Sequence, residues 1–177
     1  MKKTILSELL DYLKLIVFVV VFVLIINNFV IVNALIPSES MENTIMTGDR
    51  IFGNRLAYTF GEVDREDIII FKFPDNESEL FIKRVIGLPG DTVDIVDGKV
   101  YLNGSETPLE EPYLPEVPTS RGDGQYVVPV NSYFVLGDNR NNSRDSREWT
   151  NKYVHKDKIL GKAALRYFPF DAMGTIG

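Results

Sequence analysis

A long apolar segment near the start of the chain constrains the fold more than any other feature of the sequence. Residues 15–36 read LIVFVVVFVLIINNFVIVNALI, and all of these 22 residues are apolar except three asparagines. About 20 such residues suffice to cross a bilayer as a helix. We therefore predict a transmembrane helix over residues 15–36, a short tail of residues 1–14 before it, and a single folded domain of residues 37–177 after it.

The charges on either side of this segment predict its orientation. Three lysines precede it, whereas residues 37–49 contain no lysine or arginine. Basic residues favour the cytoplasmic side of a membrane helix, so we expect the tail in the cytoplasm and the domain on the outer side of the cell membrane. A cleaved signal peptide is the alternative, because Val32 to Ala34 offers small residues for cleavage. The segment is longer than the roughly 7 to 15 apolar residues of a signal peptide, and whether the chain is cut near Ala34 stays open.

The composition excludes several classes of site. The chain has no cysteine and a single histidine, His155, which removes disulfides, thiolate metal sites and cysteine nucleophiles. His155 stands in a charged run typical of a solvated turn, so it is not favoured as a catalytic base. The net charge is -6 and no basic tract appears, so nucleic acid is not an expected partner. We expect neither a metal site nor a cofactor.

After the apolar segment, short β-type runs alternate with turn signals. The runs include Glu66–Phe73, Ser132–Asn139 and Lys158–Phe168, and Asp97-Gly98 joins two alternating runs as a hairpin of type I′. Many short strands at close spacing predict a mainly β domain, an antiparallel β-sandwich or a partly open barrel. Residues 103–124 are acidic and rich in proline, so we expect an irregular surface excursion there.

Lys83 lies in the middle of an apolar run, FIKRVIG, that otherwise resembles a buried strand. Side chains alternate between the two faces of a strand, so Lys83 shares a face with Phe81 and Val85. Desolvation by these neighbours disfavours the charged ammonium, and Arg84 adds like-charge repulsion. A lysine becomes a useful base if its pKa falls by roughly 2 to 3 units from about 10.4. The sequence therefore makes Lys83 a candidate base.

Two polar stretches supply the other groups that hydrolysis would need. Ser38 and Ser40 follow the apolar segment in PSESM, although serines after a proline also commonly form turns or helix caps. Residues 137–147, GDNRNNSRDSR, are densely charged after an apolar strand; if this loop is solvated, its ion pairs contribute little. A serine, a desolvated lysine and an anchoring polar loop together indicate a Ser-Lys hydrolase.

With these motifs the chain resembles the type I signal peptidases of bacteria, membrane-bound serine proteases that remove signal peptides from exported proteins. The resemblance covers nearly the whole chain, because the apolar segment is followed in order by PSESM, GDRIF, REDIIIFKFP, FIKRVIGLPGD and GDNRNNSRDSR. It implies a β-domain of signal-peptidase type and exported preproteins as substrates. Membrane lipid and the secretion translocase are the further partners that it implies.

The same resemblance implies roles for four residues. Ser40 would be the nucleophile, Lys83 the general base, Ser38 a hydroxyl donor to the oxyanion, and Ser143 the residue that orients the lysine. A carboxylate in contact with Lys83 would raise the pKa of the lysine again. We therefore expect Lys83 to bond to Ser143 rather than to Asp145.

Five further residues are expected to support the site. We expect Asp145 to pair with Arg147 or Arg84 and so to hold the loop. Gly137 follows a strand and permits a close backbone approach. We expect the substrate to pass Gly137 and Asp138 as an added strand.

Two positions depart from the pattern of this family. Asn43 stands where the family commonly has proline, and Glu66 where it commonly has glycine. Because asparagine is also turn-prone, we expect the bend after Ser40 to survive. The change at Glu66 puts only the local turn before a strand in doubt.

Two other functions stay open on the sequence. A membrane-tethered β-domain could bind an exported partner without chemistry, and a specialised peptidase could act on one or few precursors. The self-cleaving repressors share the Ser-Lys pair and a similar β-fold, but they carry a DNA-binding module and usually cut an Ala-Gly bond. This chain has a membrane segment instead and contains no Ala-Gly dipeptide.

Overall fold

The computed structural model describes residues 5–176, which begin with a single long helix, α1 (Ile5–Ile25), extended by a π-helical turn at Ile26–Val30. The apolar side chains of α1 are exposed. Within Glu8–Val30 the mean hydropathy reaches 2.8, which makes this helix long and apolar enough to cross a membrane. Length and composition are the basis of that statement, and a signal sequence would satisfy them equally.

The helix begins and ends earlier than the sequence indicates. Residues 5–14 of the predicted tail belong to α1, whereas residues 1–4 lie outside the described part of the chain. Residues 31–35, predicted as the end of the membrane helix, form β1 (Ile31–Leu35). In β1 the buried Val32 is followed by the exposed Asn33, as expected for a strand. The strand with which β1 pairs is not evident from the apolar pattern of the sequence. The β-domain therefore begins at Ile31.

No linker separates the helix from the domain. The backbone N–H of Arg55 donates to the carbonyl oxygen of Val30 at 2.9 Å, and its Nε donates to the carbonyl oxygen of Ile31, also at 2.9 Å. Arg55 follows the strand that pairs with β1. The junction is thus held to the domain by two hydrogen bonds.

Eleven strands of the described chain form two antiparallel sheets. After β1 come β2 (Arg50–Asn54), β3 (Ile68–Phe73), β4 (Asn76–Gly87), β5 (Thr92–Val96), β6 (Lys99–Leu102), β7 (Gly124–Val127), β8 (Ser132–Leu136), β9 (Val154–His155), β10 (Ile159–Phe168) and β11 (Gly174–Thr175). The larger sheet has the order β1-β2-β10-β3-β4-β8-β9, with β11 paired to β10, and the smaller one has the order β6-β5-β7. The predicted class, a mainly β antiparallel fold with one N-terminal apolar helix, is confirmed.

The large sheet is covered on both faces, which explains the nearly continuous apolar runs in its central strands. In β3, Ile68 and Ile70 pack into one cluster, on the face that carries Ile51. Ile69 and Phe71 pack into a second cluster, on the opposite face. The alternation expected for strands therefore holds at the centre of the sheet.

The small sheet packs against β8 and contains the predicted hairpin. Asp97 and Gly98 join β5 to β6 with φ angles of 51° and 75°, both left-handed, as a type I′ turn requires. Residues 103–123, between β6 and β7, contain no strand or helix. The irregular excursion predicted for residues 103–124 is therefore present, except that Gly124 begins β7.

Among the described residues, two unpaired strand edges of the large sheet face each other across a gap, those of β1 and of the first half of β4. β1 pairs with β2 alone. Residues 76–82 of β4 pair with β3 alone, because β8 joins β4 from Arg84 onwards. These two edges form the walls of the cleft described next.

Candidate active site

A cleft of about 500 Å³ opens between the two unpaired strand edges. One wall comes from β1 and the residues after it, and the other comes from the middle of β4. The lining is mostly apolar, and it ends at the polar loop that follows β8. The residues that matter most for the chemistry of the cleft are Ser38, Ser40, Lys83 and Ser143, and its apolar walls include Ala34, Ile36, Ile70 and Ile82.

Ser40 is fixed in a short 3-10 turn, Glu39–Met41, whose end is pinned in the core. The Met41 side chain is fully buried, and the Met41 carbonyl accepts from the backbone N–H of Ile45 at 2.8 Å. The Ser40 carbonyl accepts from the backbone N–H of Asn139 at 3.1 Å. With 6% exposure, Ser40 presents little more than its hydroxyl to the cleft. The bend after Ser40 therefore survives, as expected.

Lys83 meets Ser40 at the bottom of the cleft. Lys83 Nζ donates to Ser40 Oγ at 2.6 Å and to the Ile82 carbonyl oxygen at 3.0 Å. The side chain is 3% exposed, and the Phe81 ring centroid lies 5.5 Å from Nζ. Burial lowers the pKa of Lys83 to about 8, although the charges of Asp145 and Asp138 act in the opposite direction. A neutral amine beside a hydroxyl is therefore accessible near physiological pH.

Ser38 lies on the open side of Ser40. Its Oγ is 3.3 Å from Ser40 Oγ. Ser38 occupies the N-cap position of the short turn, but its hydroxyl makes no capping hydrogen bond. Ser38 therefore does not have the capping role that such serines commonly have, and it lines the cleft instead.

Ser143 lines the cleft, but the bond expected between Ser143 and Lys83 is not formed. The Ser143 hydroxyl is buried at 1% exposure and has no hydrogen-bond partner among the described residues. The two donor contacts of Lys83 go to Ser40 and to its own strand instead. Ser143 packs against Gly137, where an added Cβ would lie 2.2 Å from Ser143 Oγ and 2.4 Å from the Ser40 carbonyl oxygen.

Both carboxylates of the loop are paired with arginines. Asp145 binds Arg147, with Nε to Oδ1 and Nη2 to Oδ2 both at 2.8 Å, so the predicted pairing with Arg147 is confirmed. Asp138 binds Arg84 at 2.8 and 2.7 Å. These four side chains are buried. Since breaking a buried pair leaves an uncompensated charge, the pairs hold the loop firmly.

The backbone groups of Gly137, where the substrate was expected to pass as an added strand, already have partners within the loop. The Gly137 N–H donates to Asp145 Oδ2 at 3.1 Å, and the Gly137 carbonyl accepts from Arg140 Nε at 3.1 Å. A strand can be added only where backbone groups are free. Those free edges belong to β1 and the first half of β4, while Gly137 serves to let the loop approach Ser40.

The two departures from the family pattern adopt left-handed backbone conformations. Asn43 has φ of 85° and Glu66 has φ of 72°. The Glu66 conformation is one that glycine adopts without strain. It directs the Glu66 carbonyl to Arg84 Nη1 at 3.0 Å. Asn43 has a φ that proline cannot reach, so the turn after Ser40 differs locally from one built on proline.

Sequence reasoning misses three residues in and around the loop, Arg140, Glu111 and Tyr113. Arg140 is 2% exposed and binds Glu111, from the proline-rich excursion. Tyr113, from the same excursion, stacks on Arg84 with 3.9 Å from the guanidinium carbon to the ring centroid. Nothing in the local sequence distinguishes Glu111 from the other acidic residues around it. His155 is exposed and does not line the cleft, which fits its low rank as a base.

The structure thus combines an apolar helix, long enough to cross a membrane, with an antiparallel β-domain and a cleft that holds a buried serine-lysine contact. Comparison with known proteins identifies the family. The family model for signal peptidase, peptidase S26, matches residues 9–168. The chain belongs to this family, and it is therefore a peptidase.

Two relatives compared by sequence agree with this assignment. A signal peptidase I from Leptolyngbya laminosa is 42% identical over 178 aligned positions, which cover 97% of this chain and 85% of the relative. Signal peptidase I S from Bacillus subtilis is 36% identical, with 94% and 93% covered. A crystal structure of a signal peptidase I from Enterococcus faecalis aligns with 57% of this chain and 96% of its own, at 35% identity and a TM-score of 0.49.

Proposed function

We propose that this chain is a membrane-anchored serine endopeptidase that removes signal peptides from exported preproteins, with Ser40 as nucleophile and Lys83 as general base. The observation that supports it best is the 2.6 Å contact between Lys83 Nζ and Ser40 Oγ inside a buried site. A serine hydroxyl needs an adjacent base to become a useful nucleophile. Lys83, with its pKa lowered to about 8, is suited to that role.

Acylation begins when neutral Lys83 accepts the Ser40 proton while Ser40 Oγ attacks the scissile carbonyl carbon. The negative charge that develops on the carbonyl oxygen needs donors that are already in place. The Ser38 hydroxyl, 3.3 Å from Ser40 Oγ, and the Ser40 backbone N–H are the proposed donors. When the C–N bond breaks, the Lys83 ammonium returns its proton to the leaving amine.

Deacylation repeats these steps with water. Lys83 accepts a proton from a water molecule that attacks the Ser40 ester, and then returns the proton to Ser40 Oγ as the acid product leaves. Ser143, buried beside the site, is proposed to limit the positions that the Lys83 side chain can take. The paired loop residues Asp138, Arg84, Asp145 and Arg147, together with Gly137, are proposed to support this arrangement.

The substrate is proposed to bind as a strand between β1 and β4. Neither facing edge has a neighbouring strand in the described chain, which is the condition for strand addition. The apolar walls around Ala34, Ile70 and Ile82 would receive small side chains before the scissile bond, as the family resemblance implies. Cleavage would therefore follow a small residue.

The proposed topology places the N-terminus in the cytoplasm and the β-domain on the outer side of the cell membrane. Lys2 and Lys3 precede the proposed span and Lys14 lies in its N-terminal part, while residues 37–49 carry no basic side chain. The proposed span is Glu8–Val30, shorter at its C-terminal end than residues 15–36, because β1 belongs to the domain. Lipid contact and encounter with the secretion translocase are part of this proposal.

Cleavage of a purified preprotein by the full chain in detergent tests the proposal. Ser40→Ala and Lys83→Ala should lose cleavage, while Ser105→Ala, at an exposed position outside the cleft, should cut like the wild type. Sequencing of the product N-termini should place the cut after a small residue. The rate should rise with pH through about 8, following Lys83. Full activity of Lys83→Ala, or an acidic limb near pH 4 as for a carboxylate base, would refute the proposed base.

An acylating inhibitor separates this proposal from a binding module without chemistry. A tethered binding domain has no reason to activate one serine among many. Stoichiometric labelling of Ser40, lost in Lys83→Ala, is the expected result. An unlabelled Ser40 in a folded chain would favour the binding module instead.

A further inference from the structure

The acidic, proline-rich excursion lies along the loop that follows β8. We call residues 111–121 the strap and residues 137–147 the loop. We propose that the strap positions the loop for catalysis, with Glu111 as its main positioning residue; this inference rests on the proposed function of Ser40 and Lys83. Glu111 would thus act on the reaction without touching the substrate, because it does not line the cleft.

The central contact between strap and loop is an ion pair shielded from water. Arg140 Nη1 donates to Glu111 Oε2 at 3.0 Å, and Arg140 Nη2 donates to Glu111 Oε1. The side chains are 2% and 6% exposed. Two hydrogen bonds from one guanidinium fix direction as well as distance. Removing one partner of such a pair leaves a buried, uncompensated charge, which must move or draw in water.

Arg140 connects this ion pair to the reacting serine. Its Nε donates to the Gly137 carbonyl oxygen at 3.1 Å, and its own carbonyl accepts from Arg147 Nη2 at 2.7 Å. Gly137 packs so closely on Ser40 and Ser143 that no side chain fits between them. A shift of the Arg140 guanidinium therefore moves Gly137, and Gly137 has no room to move without displacing Ser40 or Ser143.

Tyr113 supplies a second link between the strap and the site. Its hydroxyl donates to Glu111 Oε1 at 2.9 Å, and its ring lies under Arg84, the partner of Asp138. The Tyr113 carbonyl accepts from Asn43 Nδ2 at 2.8 Å. Asn43 stands three residues after Ser40, so the strap contacts the serine turn and the loop at once.

Besides a partly buried bond from Arg147 Nη1 to the Arg121 carbonyl oxygen at 3.3 Å, further contacts lie at the rim. Asn141 accepts from the backbone N–H of Thr119 at 2.8 Å and donates to Glu116 at 2.8 Å, and its carbonyl accepts from Arg121 Nη1 at 3.0 Å. These contacts are exposed, and exposed polar pairs contribute little individually. We therefore expect the effect of the strap to depend mainly on Glu111.

Removing the Glu111 charge should affect turnover and not substrate binding. Glu111 does not line the cleft, so the KM should stay within about twofold of the wild type. A misplacement of about 1 Å at a reacting group can lower the rate about a hundredfold. We expect the kcat of Glu111→Gln to fall by roughly 10- to 100-fold.

The test uses the full chain in detergent with a preprotein substrate, and kcat is normalised by titration of reactive Ser40 with an acylating inhibitor. The matched control is Glu110→Gln, which makes the same change at the neighbouring, exposed position and should keep the wild-type kcat. Because titration counts only folded, reactive enzyme, a variant that is merely unstable keeps its normalised kcat. A normalised kcat of Glu111→Gln equal to that of Glu110→Gln would overturn the inference.

A double-mutant cycle shows whether Glu111 acts through Arg140. Arg140→Gln alone should lower kcat, and Glu111→Gln should add little in the Arg140→Gln background, because residues in one network are not additive. Multiplicative effects would overturn the proposed route. Ser40→Ala is measured alongside: if it still cleaves, the proposed function fails, whereas an inactive Ser40→Ala with an unaffected Glu111→Gln refutes the strap alone.

Discussion

Replacing Lys83 by methionine should abolish cleavage and yet stabilise the fold in a pH-dependent way. Burial lowers the pKa of Lys83 from 10.5 to about 8. Each unit corresponds to about 1.4 kcal/mol, so the buried ammonium destabilises the folded state by about 3 kcal/mol at pH 7. Methionine has a similar length and carries no charge, so it removes this term, while the two hydrogen bonds of Nζ are also lost.

The sign of the pH dependence distinguishes this effect from simple repacking. Between pH 8 and 10.5 the unfolded chain still binds the proton that the folded chain has released, so wild-type stability rises with pH in this window. The advantage of Lys83→Met should therefore shrink from its value at pH 7 by about 1 kcal/mol at pH 9 and by nearly 3 kcal/mol at pH 10.5.

Denaturant unfolding of both proteins in the same detergent at pH 7, 9 and 10.5 measures this difference, and other titrating groups cancel in the comparison. Lys99→Met is the matched control, because Lys99 is exposed and keeps its hydration in the folded state. Its effect should be small and equal at the three pH values. A pH-independent difference for Lys83→Met would refute the claim that burial lowers the pKa of this lysine.

Three further substitutions probe the backbone around the site. Gly137→Ala places a Cβ 2.2 Å from Ser143 Oγ, so preprotein cleavage should fall at least about tenfold, as overpacking destabilises by about 1 to 3 kcal/mol; a fully active enzyme would contradict the close approach. Asn43→Pro cannot keep φ of 85° and should lower the melting temperature, whereas Asn43→Gly should be milder, and equal effects would argue against the left-handed turn. Glu66 has a φ of 72°, and this left-handed conformation costs a residue with a side chain roughly 1 to 2 kcal/mol. Glu66→Gly removes that strain, but the entropy that glycine loses on folding costs about 0.5 to 1 kcal/mol. A gain of up to about 1 kcal/mol in denaturant unfolding is expected, and a loss would contradict it.

What the sequence predicts well is local. Strand alternation places Lys83 among apolar neighbours from four or five letters alone, and the Asp97-Gly98 pair carries its own turn geometry. The pairing of Asp145 with Arg147 spans only two residues. Each of these features is encoded within a few positions of the chain, so composition and spacing are enough to find it.

What the sequence misses depends on distant partners. β1 reads as helix because its residues are apolar, and only the presence of β2 decides otherwise. The pair of Glu111 and Arg140 joins positions 29 residues apart across an irregular segment, for which no periodicity exists. Ser143 was expected to bond to Lys83, but the lysine takes its partners from the serine turn and its own strand.

Because the helix passes directly into β1, it is a stiff connection to the β-domain and not a flexible tether. A helix advances 1.5 Å and turns 100° with each residue, and Arg55 clamps both sides of the junction between Val30 and Ile31. Lengthening this helix by one residue would rotate the cleft by more than a quarter turn about the helix axis. In the proposed topology, the number of residues in the helix therefore sets the direction in which the cleft faces a substrate, although the helix itself does not contact that substrate.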